Sequence, residues 1–170
     1  MDHSVQNNPL FTSIRQLIED SKQQVAVAVN ATMSMLYWKI GTAINKELKK
    51  FEGEKNYGKQ IVATLWRHLQ SEYGTSFSEK NLRRMMQFAD VFPDEKIVVS
   101  LIRQLSWTHI IVIIPIENPL KREFYIEMCR LEKWSVRTFR ERIQSMLYER
   151  TAISKKPEKT IEYDLELLKS

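Results

Sequence analysis

The sequence predicts an all-α fold, and three features support this prediction. The 170 residues include only four Gly and five Pro, too few for the many turns of an all-β protein. Residues that favour helix, chiefly Leu, Lys, Glu, Arg, Gln and Met, are abundant. Apolar residues also recur at intervals of three and four along most of the chain, which is typical of helices with one apolar face.

The composition narrows the possible functions. Apolar residues make up 43% and charged residues 28%, as in ordinary globular proteins, and the net charge of +5 is compatible with a nucleic-acid partner. A single cysteine, Cys129, excludes an internal disulfide and a cysteine-rich zinc site. Residues 1–8 lack the apolar core of a signal peptide, and no apolar run reaches the roughly 18 residues of a membrane span. We therefore expect a cytoplasmic protein with no membrane partner.

The first element is a long helix. Residues 1–8 are predicted to be disordered, and residues 9–52 carry an apolar stripe from Ile14 to Leu48 with Gly41 as the weak point. Unbroken, this helix would extend about 60 Å at ~1.5 Å per residue, more than a small domain covers by itself. Either the helix bends near Gly41, folding back under its own C-terminal half, or part of its stripe packs on a second copy. The second alternative predicts a homodimer formed through the N-terminal helix.

Residues 57–92 form the first predicted helix-turn-helix unit. An apolar-periodic run ends at Gly74, and Ser78 then stands as the N-cap of a second helix. Phe77 and Leu82 flank this cap at the spacing of a hydrophobic staple, and Pro93 ends the helix. Two packed helices with a solvated basic face would give the same pattern, so DNA binding and simple packing both remain open.

The region 97–114 is ambiguous, because Ile97-Val98-Val99 has strand propensity whereas the later spacing favours helix. We favour helix and keep a small wing or short strand as the alternative. Ser106 caps the start of a second helical unit, residues 105–150, and Ser135 caps a later helix within it. Residues 151–170 are predicted to form a linker toward a C-terminal domain that this chain lacks.

Two capped helices share more than the staple. Phe77–Arg83 and Trp134–Arg140 both read aromatic, Ser, any residue, basic, small polar, apolar, Arg. Chance is the alternative, since the staple alone explains three of these positions. If the match is real, each helix presents a basic face to a duplex. The predicted DNA contacts are Lys80, Arg83, Arg84 and Gln87 on the first helix and Arg137, Arg140 and Arg142 on the second.

No catalytic constellation is visible in the sequence. His3, His68 and His109 are far apart, with no partner at the spacing of a metal site. Cys129 lies among apolar neighbours and is predicted to be a buried structural thiol. No glycine-rich phosphate loop is present. We therefore expect no catalytic residue, no metal and no cofactor in this chain, and no enzymatic activity of its own.

Several short motifs together resemble a known family. These motifs are Tyr37-Trp38-Lys39-Ile40-Gly41, Tyr57-Gly58-Lys59, Phe77-Ser78 with Asn81-Leu82, Met85 with Phe88, Leu105-Ser106-Trp107-Thr108-His109, Arg122-Glu123-Phe124-Tyr125, and Trp134-Ser135 with Phe139. The set is similar to the N-terminal domain of the YhcG-type family of bacterial proteins, over residues 10–150. The resemblance implies a helical module ahead of a C-terminal PD-(D/E)XK nuclease domain, often linked to restriction-modification loci.

Two functions follow as hypotheses. The first is a non-catalytic module that binds double-stranded DNA, dimerises, and delivers a nuclease linked to restriction-modification or DNA defence. The second is a protein–protein interaction scaffold that dimerises and docks a partner subunit through the aromatic residues Trp107, Tyr125 and Trp134, without contacting DNA.

Overall fold

The computed structural model of the protein describes residues 9–154, apart from the side chains of residues 55, 153 and 154. The predicted disorder of residues 1–8 and most of the predicted linker, residues 155–170, lie outside the described residues. Helix dominates the described part of the chain, and no strand is present there, so the all-α prediction is confirmed. The ambiguous region 97–114 is helical, and no wing is formed between those residues.

The helices follow one another with short connections. They are α1 (Pro9–Lys50), α2 (Lys55–Tyr73), a 3-10 turn (Thr75–Phe77), α3 (Glu79–Val91), α4 (Glu95–Gln104), α5 (Trp107–Ile113), α6 (Pro119–Glu132), α7 (Val136–Gln144) and α8 (Leu147–Ser154).

Helix α1 runs for 42 residues without a break, so it does not fold back on itself at Gly41, which was one of the two predicted alternatives. Gly41 is instead the point at which α3 crosses, because a Cβ atom there would overlap the carbonyl group of Met85. The second half of α1 packs on the other helices. In contrast, every side chain from residue 9 to residue 30 is exposed. We call residues 9–30 the arm.

The predicted apolar stripe of α1 is two separate surfaces. The residues by which α1 packs on the other helices include Tyr37, Gly41 and Ile44, all buried. At about 100° of rotation per residue, this face lies on the opposite side of the helix from Ile14 and Val25 in the arm. The stripe is therefore not one continuous core face, and its first half faces solvent.

The core has two clusters, and α3 belongs to both. The smaller cluster joins α1, α2 and α3, with Leu82 and Met85 from α3. The larger one extends from α3 to α8, includes Trp38 of α1, and receives Phe88 and Ala89 from α3. Trp107 at the start of α5 packs against both clusters. Helix α3 is thus the central element, held on several sides.

Three details of the C-terminal half differ from what the sequence pattern predicts. Leu131 is 43% exposed, although its spacing from Phe124 and Met128 favours the inward face of α6. The helix that Ser135 caps is interrupted at Met146, whose φ of 57° is left-handed, and this break divides it into α7 and α8. The break lets Tyr148 become buried, with its amide donating to the Tyr125 hydroxyl (3.2 Å). Helix α8 also continues to Ser154, past residue 151, where the sequence predicts the linker to begin.

Membrane-spanning potential is low in the part of the chain that the structure describes. No helix there is long and apolar enough to cross a bilayer alone. Helices α4 and α5 meet the length and composition criteria only as a pair, bent by 118°.

Candidate nucleic-acid interface

Three helices begin with the same serine cap. The hydroxyl oxygens of Ser78, Ser106 and Ser135 accept hydrogen bonds from the amide of the residue three positions later, at 3.2–3.3 Å. Each bond satisfies one of the amides that a helix start leaves without a partner inside the helix. The caps at the starts of α3, α5 and α7 are therefore formed as the sequence predicts.

Side-chain hydrogen bonds join these three helix starts. Trp107 at the start of α5 donates from Nε1 to Oδ1 of Asn81 in the first turn of α3 (3.4 Å). On the other side, His109 Nε2 lies 2.8 Å from the carbonyl oxygen of Trp134, directly before the cap of α7. Nδ1 of the same ring lies 2.7 Å from the Ser106 hydroxyl. If Nε2 carries the proton, it donates to the carbonyl and Nδ1 accepts from the hydroxyl, so both ring nitrogens are satisfied.

The three starts thus lie side by side in the order α3, α5, α7. We call residues 78–81, 106–109 and 134–138 the cap row. The backbone amides of a helix start carry a partial positive charge, about half an elementary charge per helix, which favours anions such as phosphate. The two predicted basic helices, α3 and α7, therefore begin on either side of the short helix α5.

Helix α3 is also fixed from behind by α1. Asn45 Nδ2 donates to the Met86 carbonyl oxygen (2.8 Å), and the indole Nε1 of Trp38 donates to the Phe92 carbonyl oxygen (2.8 Å) at the end of α3. The second of these bonds satisfies a carbonyl that the helix end leaves free. The basic face of α3 is consequently presented on a rigid support.

The predicted contacts on α3 differ in availability. Lys80 is exposed and Arg84 is half-buried, and neither forms an ion pair with the described residues. Arg83 is paired with Glu79 (3.0 Å), four residues earlier on the helix. Gln87 is exposed, but its Nε2 donates to the Ile114 carbonyl oxygen (3.2 Å) at the end of α5. Of the four residues, Lys80 and Arg84 therefore keep charged groups that form no ion pair with the described residues.

Acidic residues reduce the positive charge of this surface. Glu79 and Asp90 share the exposed face of α3 with Lys80 and Arg83. The Arg83–Glu79 pair is about half exposed on both sides, and such i,i+4 pairs stabilise by only ~0.3–0.5 kcal/mol. Because this is small, the guanidinium group can exchange its carboxylate partner for a phosphate oxygen.

The predicted contacts on α7 are divided between two sides of the helix. Arg137 and Arg140 point outward together, and Arg137 forms a highly exposed pair with Glu141 (3.4 Å). Arg140 has no carboxylate partner within the described part of the chain. Arg142 follows two residues later, about 200° further around the helix, and lies over the ring of Trp134 (5.8 Å to the centroid). The structure thus places Arg142 apart from the other two.

Sequence reasoning missed the residues that assemble the cap row. The sequence pattern shows only that His109 has no partner at the spacing of a metal site, and it indicates Trp107 as a docking residue. Asn81 was noticed as the small polar position of the repeated pattern, and that position holds Thr138 in α7. This shared small polar position was the sequence feature that could have indicated the cap row, because residues that contact each other between the helices are far apart in sequence.

Metal and thiol chemistry find little support. Among the described residues, no group of three or more His, Cys, Asp or Glu side chains could hold a metal ion. Cys129 is buried, as predicted, and its burial raises the pKa of the thiol to about 12. Burial also raises the pKa of Tyr125. A thiol with so high a pKa stays protonated at neutral pH, which suits a structural role and not a nucleophile.

Comparison with known proteins identifies the family. Residues 13–150 match the model of the DUF1016 N-terminal domain. The chain is 26% identical over 174 residues to a protein of Escherichia coli (strain K12) named "Putative nuclease YhcG", with 85% of this chain covered. The chain spans about half the length (46%) of that relative. No solved structure matches. The chain therefore belongs to the DUF1016 N-terminal domain family, as its resemblance to YhcG-type proteins indicated.

Proposed function

We propose that this chain is the non-catalytic DNA-binding and dimerisation module of a nuclease. A PD-(D/E)XK catalytic domain would follow it in the longer parent protein, which would act in the cytoplasm in restriction-modification or DNA defence. The relative's name, "Putative nuclease YhcG", and its length, about twice that of the matched region, support this division of labour.

The observation that carries the proposal is the cap row. Its hydrogen bonds hold the starts of α3 and α7 beside α5, so that one nucleic-acid backbone could reach both helices. Helix N-termini and the side chains of Arg and Lys are among the groups that contact DNA phosphates. Such contacts position a protein on the duplex and add affinity without reading its sequence.

Three cations are the first candidates for phosphate contacts. Lys80, Arg84 and Arg140 form no ion pair with the described residues. Arg83 and Arg137 would join them by giving up weak, exposed carboxylate partners. Gln87 and Arg142 are assigned secondary roles, because each already contacts a neighbouring group of the fold.

The experiment is a titration of labelled duplex DNA at several salt concentrations, read by fluorescence anisotropy. The triple variant Lys80→Ala/Arg84→Ala/Arg140→Ala should bind more weakly. The slope of log affinity against log salt should fall by roughly 2–3, since each phosphate contact contributes about 0.9.

Arg103→Ala supplies the matched control. Arg103 is an exposed arginine at the end of α4, outside both predicted surfaces. Its loss removes one positive charge but should leave the slope unchanged within error. No detectable binding at low salt, or equal slopes for the triple variant and the parent, would rule out this interface.

The arm favours a second candidate function, a scaffold that dimerises and docks a partner without contacting DNA. Exposed apolar side chains along the arm suit protein association. The aromatic docking surface predicted for this scaffold is reduced, because Tyr125 is fully buried and Trp107 packs between the two core clusters. Sedimentation combined with a DNA mobility shift separates the two functions, since a dimer that ignores DNA favours the scaffold.

A further inference from the structure

The arm carries an apolar stripe that no other described element covers. The arm is about 33 Å long at ~1.5 Å per residue. The side chains of the stripe, together with Leu36 just beyond the arm, are between 38% and 67% exposed. They are Phe11, Ile14, Leu17, Ile18, Val25, Val29 and Leu36. Smaller residues, Ser21, Ala28 and Thr32, lie on the same side of the helix.

The stripe has the spacing of a coiled-coil seam. Alternating steps of three and four residues give the two seam positions of four successive heptads, at residues 11, 14, 18, 21, 25, 28, 32 and 35. Large side chains are concentrated at the N-terminal end of this seam, and small ones in its middle and C-terminal half. A seam with this asymmetry packs best when its two ends face each other, because large and small residues then meet.

From these features we propose that two copies of the chain pair through their arms in an antiparallel coiled coil. This inference rests on the proposed dimerisation and adds its orientation and register. In the register that aligns the two seams, large residues of one copy meet small or flexible residues of the other. The layers are Phe11 with Met35, Ile14 with Thr32, Ile18 with Ala28, and Ser21 with Val25, each formed twice by the two-fold symmetry.

Charge favours the antiparallel orientation. Beyond Leu36, the line of the stripe continues along α1 as exposed lysines, Lys39, Lys46 and Lys50. In a parallel pair, each of these lysines would lie against the same lysine of the other copy, and this like-charge contact is unfavourable. In the antiparallel register they lie beyond the paired segment. One like-charge contact remains, between the two copies of Lys22, but it lies at the rim, where both ammonium groups reach water.

A groove at the base of the arm suits this register. It has a volume of about 460 Å³ and is lined by Ala31, Thr32, Met35, Leu36, Lys39 and Ile102. The partner's copy of Phe11 would lie over Met35 and therefore at this groove. An aromatic side chain in a pocket at each end of the seam gives two equivalent anchors and fixes the register.

The area of the stripe approaches that of a stable dimer interface. Complete burial of the seven large apolar side chains would remove on the order of 700 Å² per chain from water, an upper limit that approaches the roughly 800 Å² per partner of a standard interface. Along the arm, the stripe lies opposite the face by which α1 packs on the other helices, and α4 approaches the seam at its base, where Ile102 lines the groove.

Cysteine cross-linking tests the orientation in the full chain. Ile14→Cys and Thr32→Cys are made as separate variants, oxidised alone and as an equimolar mixture, and the products are resolved by mass. In an antiparallel pair, residue 14 faces residue 32 of the other copy, whereas two copies of residue 14 are about 27 Å apart. The covalent dimer should therefore appear in the mixture and be absent from either variant alone.

The unaltered chain, with Cys129 buried, is the control and should give no covalent dimer. Cross-linking of either variant with itself would overturn the antiparallel orientation while leaving the proposed function intact. A monomeric mass by sedimentation, for the parent and both variants, would overturn the dimer itself. DNA titration of the same samples separates that result from a failure of the DNA-binding proposal, because the predicted contacts lie outside the arm.

Discussion

The carbonyl group of Met85 lies directly against Gly41, so that α1 and α3 cross with no side chain between them. A Cβ atom at residue 41 would overlap backbone, which cannot move aside as a side chain can. This close crossing allows Asn45 and Trp38 of α1 to reach carbonyl groups of α3. The position of α3, and with it the start of the cap row, depends on this contact.

Gly41→Ala is therefore expected to lower the free energy of unfolding by about 1–3 kcal/mol, the usual cost of an overpacked core. This is opposite in sign to the gain of ~1 kcal/mol that alanine brings in an ordinary helix position. Urea unfolding followed by circular dichroism measures the difference.

Gly58→Ala is the matched control. Gly58 lies in α2, where a Cβ atom would meet only Leu48 Cδ2 at 3.4 Å, an ordinary contact. This variant should be neutral or more stable than the parent. Equal effects at positions 41 and 58 would contradict the close crossing of α1 and α3.

His109→Phe should destabilise the cap row while keeping a ring of similar size. The substitution removes both ring hydrogen bonds and leaves the Trp134 carbonyl oxygen and the Ser106 hydroxyl without that partner. Because both hydrogen bonds are only partly buried, a loss of about 0.5–1.5 kcal/mol for each is expected. Thermal unfolding measures it, and His68→Phe, at an exposed position of α2, should change stability by less than ~0.5 kcal/mol.

Local signals explain what the sequence could predict. The caps at Ser78, Ser106 and Ser135 depend on residues within four positions of one another, so their spacing alone identified three helix starts. The choice of helix at 97–114 followed from such a cap, even though the run of Ile and Val favoured a strand. The all-α class was predictable for the same reason.

The apolar stripe of α1 was misread because periodicity was counted without following the rotation of the helix. Each step of four residues advances about 40° around an α-helix. Several such steps between Ile14 and Ile44 carry the stripe from the solvent side to the core side. Sequence spacing therefore predicted amphipathic helix correctly but could not show that two different surfaces were involved.

The candidate site was less predictable, because its geometry depends on partners distant in sequence. Nothing near Gln87 indicates that it reaches Ile114, and nothing near His109 points to Trp134. The separation of Arg142 from Arg140, in contrast, follows from two residues of helical rotation and could have been predicted. Whether any of these residues contacts DNA stays a prediction.

The ion pair between Lys121 and Glu149 joins α6 to α8 and gives a pH-dependent prediction. The two groups are 2.6 Å apart and each about one quarter exposed, and the lysine lowers the pKa of the Glu149 carboxyl below its ordinary value of 4.5. A carboxyl whose pKa is lower in the folded state than in the unfolded state stabilises the fold at pH values above its unfolded-state pKa. This stabilisation is lost as the pH falls through the pKa of the folded state.

Lys121→Met should accordingly lower the free energy of unfolding by about 1 kcal/mol at pH 7. The difference from the parent should shrink as the pH falls below 4.5. Denaturant unfolding at a series of pH values measures it. Lys50→Met, which removes a longer and more exposed pair with Glu47 (3.6 Å), should have little effect at any pH. A pH-independent loss for Lys121→Met would indicate that packing, and not charge, is responsible.

The last prediction separates a DNA contact from a structural arginine on one helix. Arg140 and Arg142 both lie on α7, two residues apart, and have the same charge. Arg140 is directed to solvent, whereas the guanidinium group of Arg142 lies over the Trp134 ring, a contact that stabilises by ~0.5–1 kcal/mol at an exposed site.

Arg140→Ala should therefore weaken DNA affinity, with a salt slope reduced by about 1, and leave the unfolding midpoint unchanged. Arg142→Ala should instead lower stability by roughly 0.5–1 kcal/mol and reduce the slope by less than Arg140→Ala does. Because the two variants carry the same net charge, a general electrostatic effect would change the slope equally in both. That equal change would show that α7 has no oriented contact with the duplex.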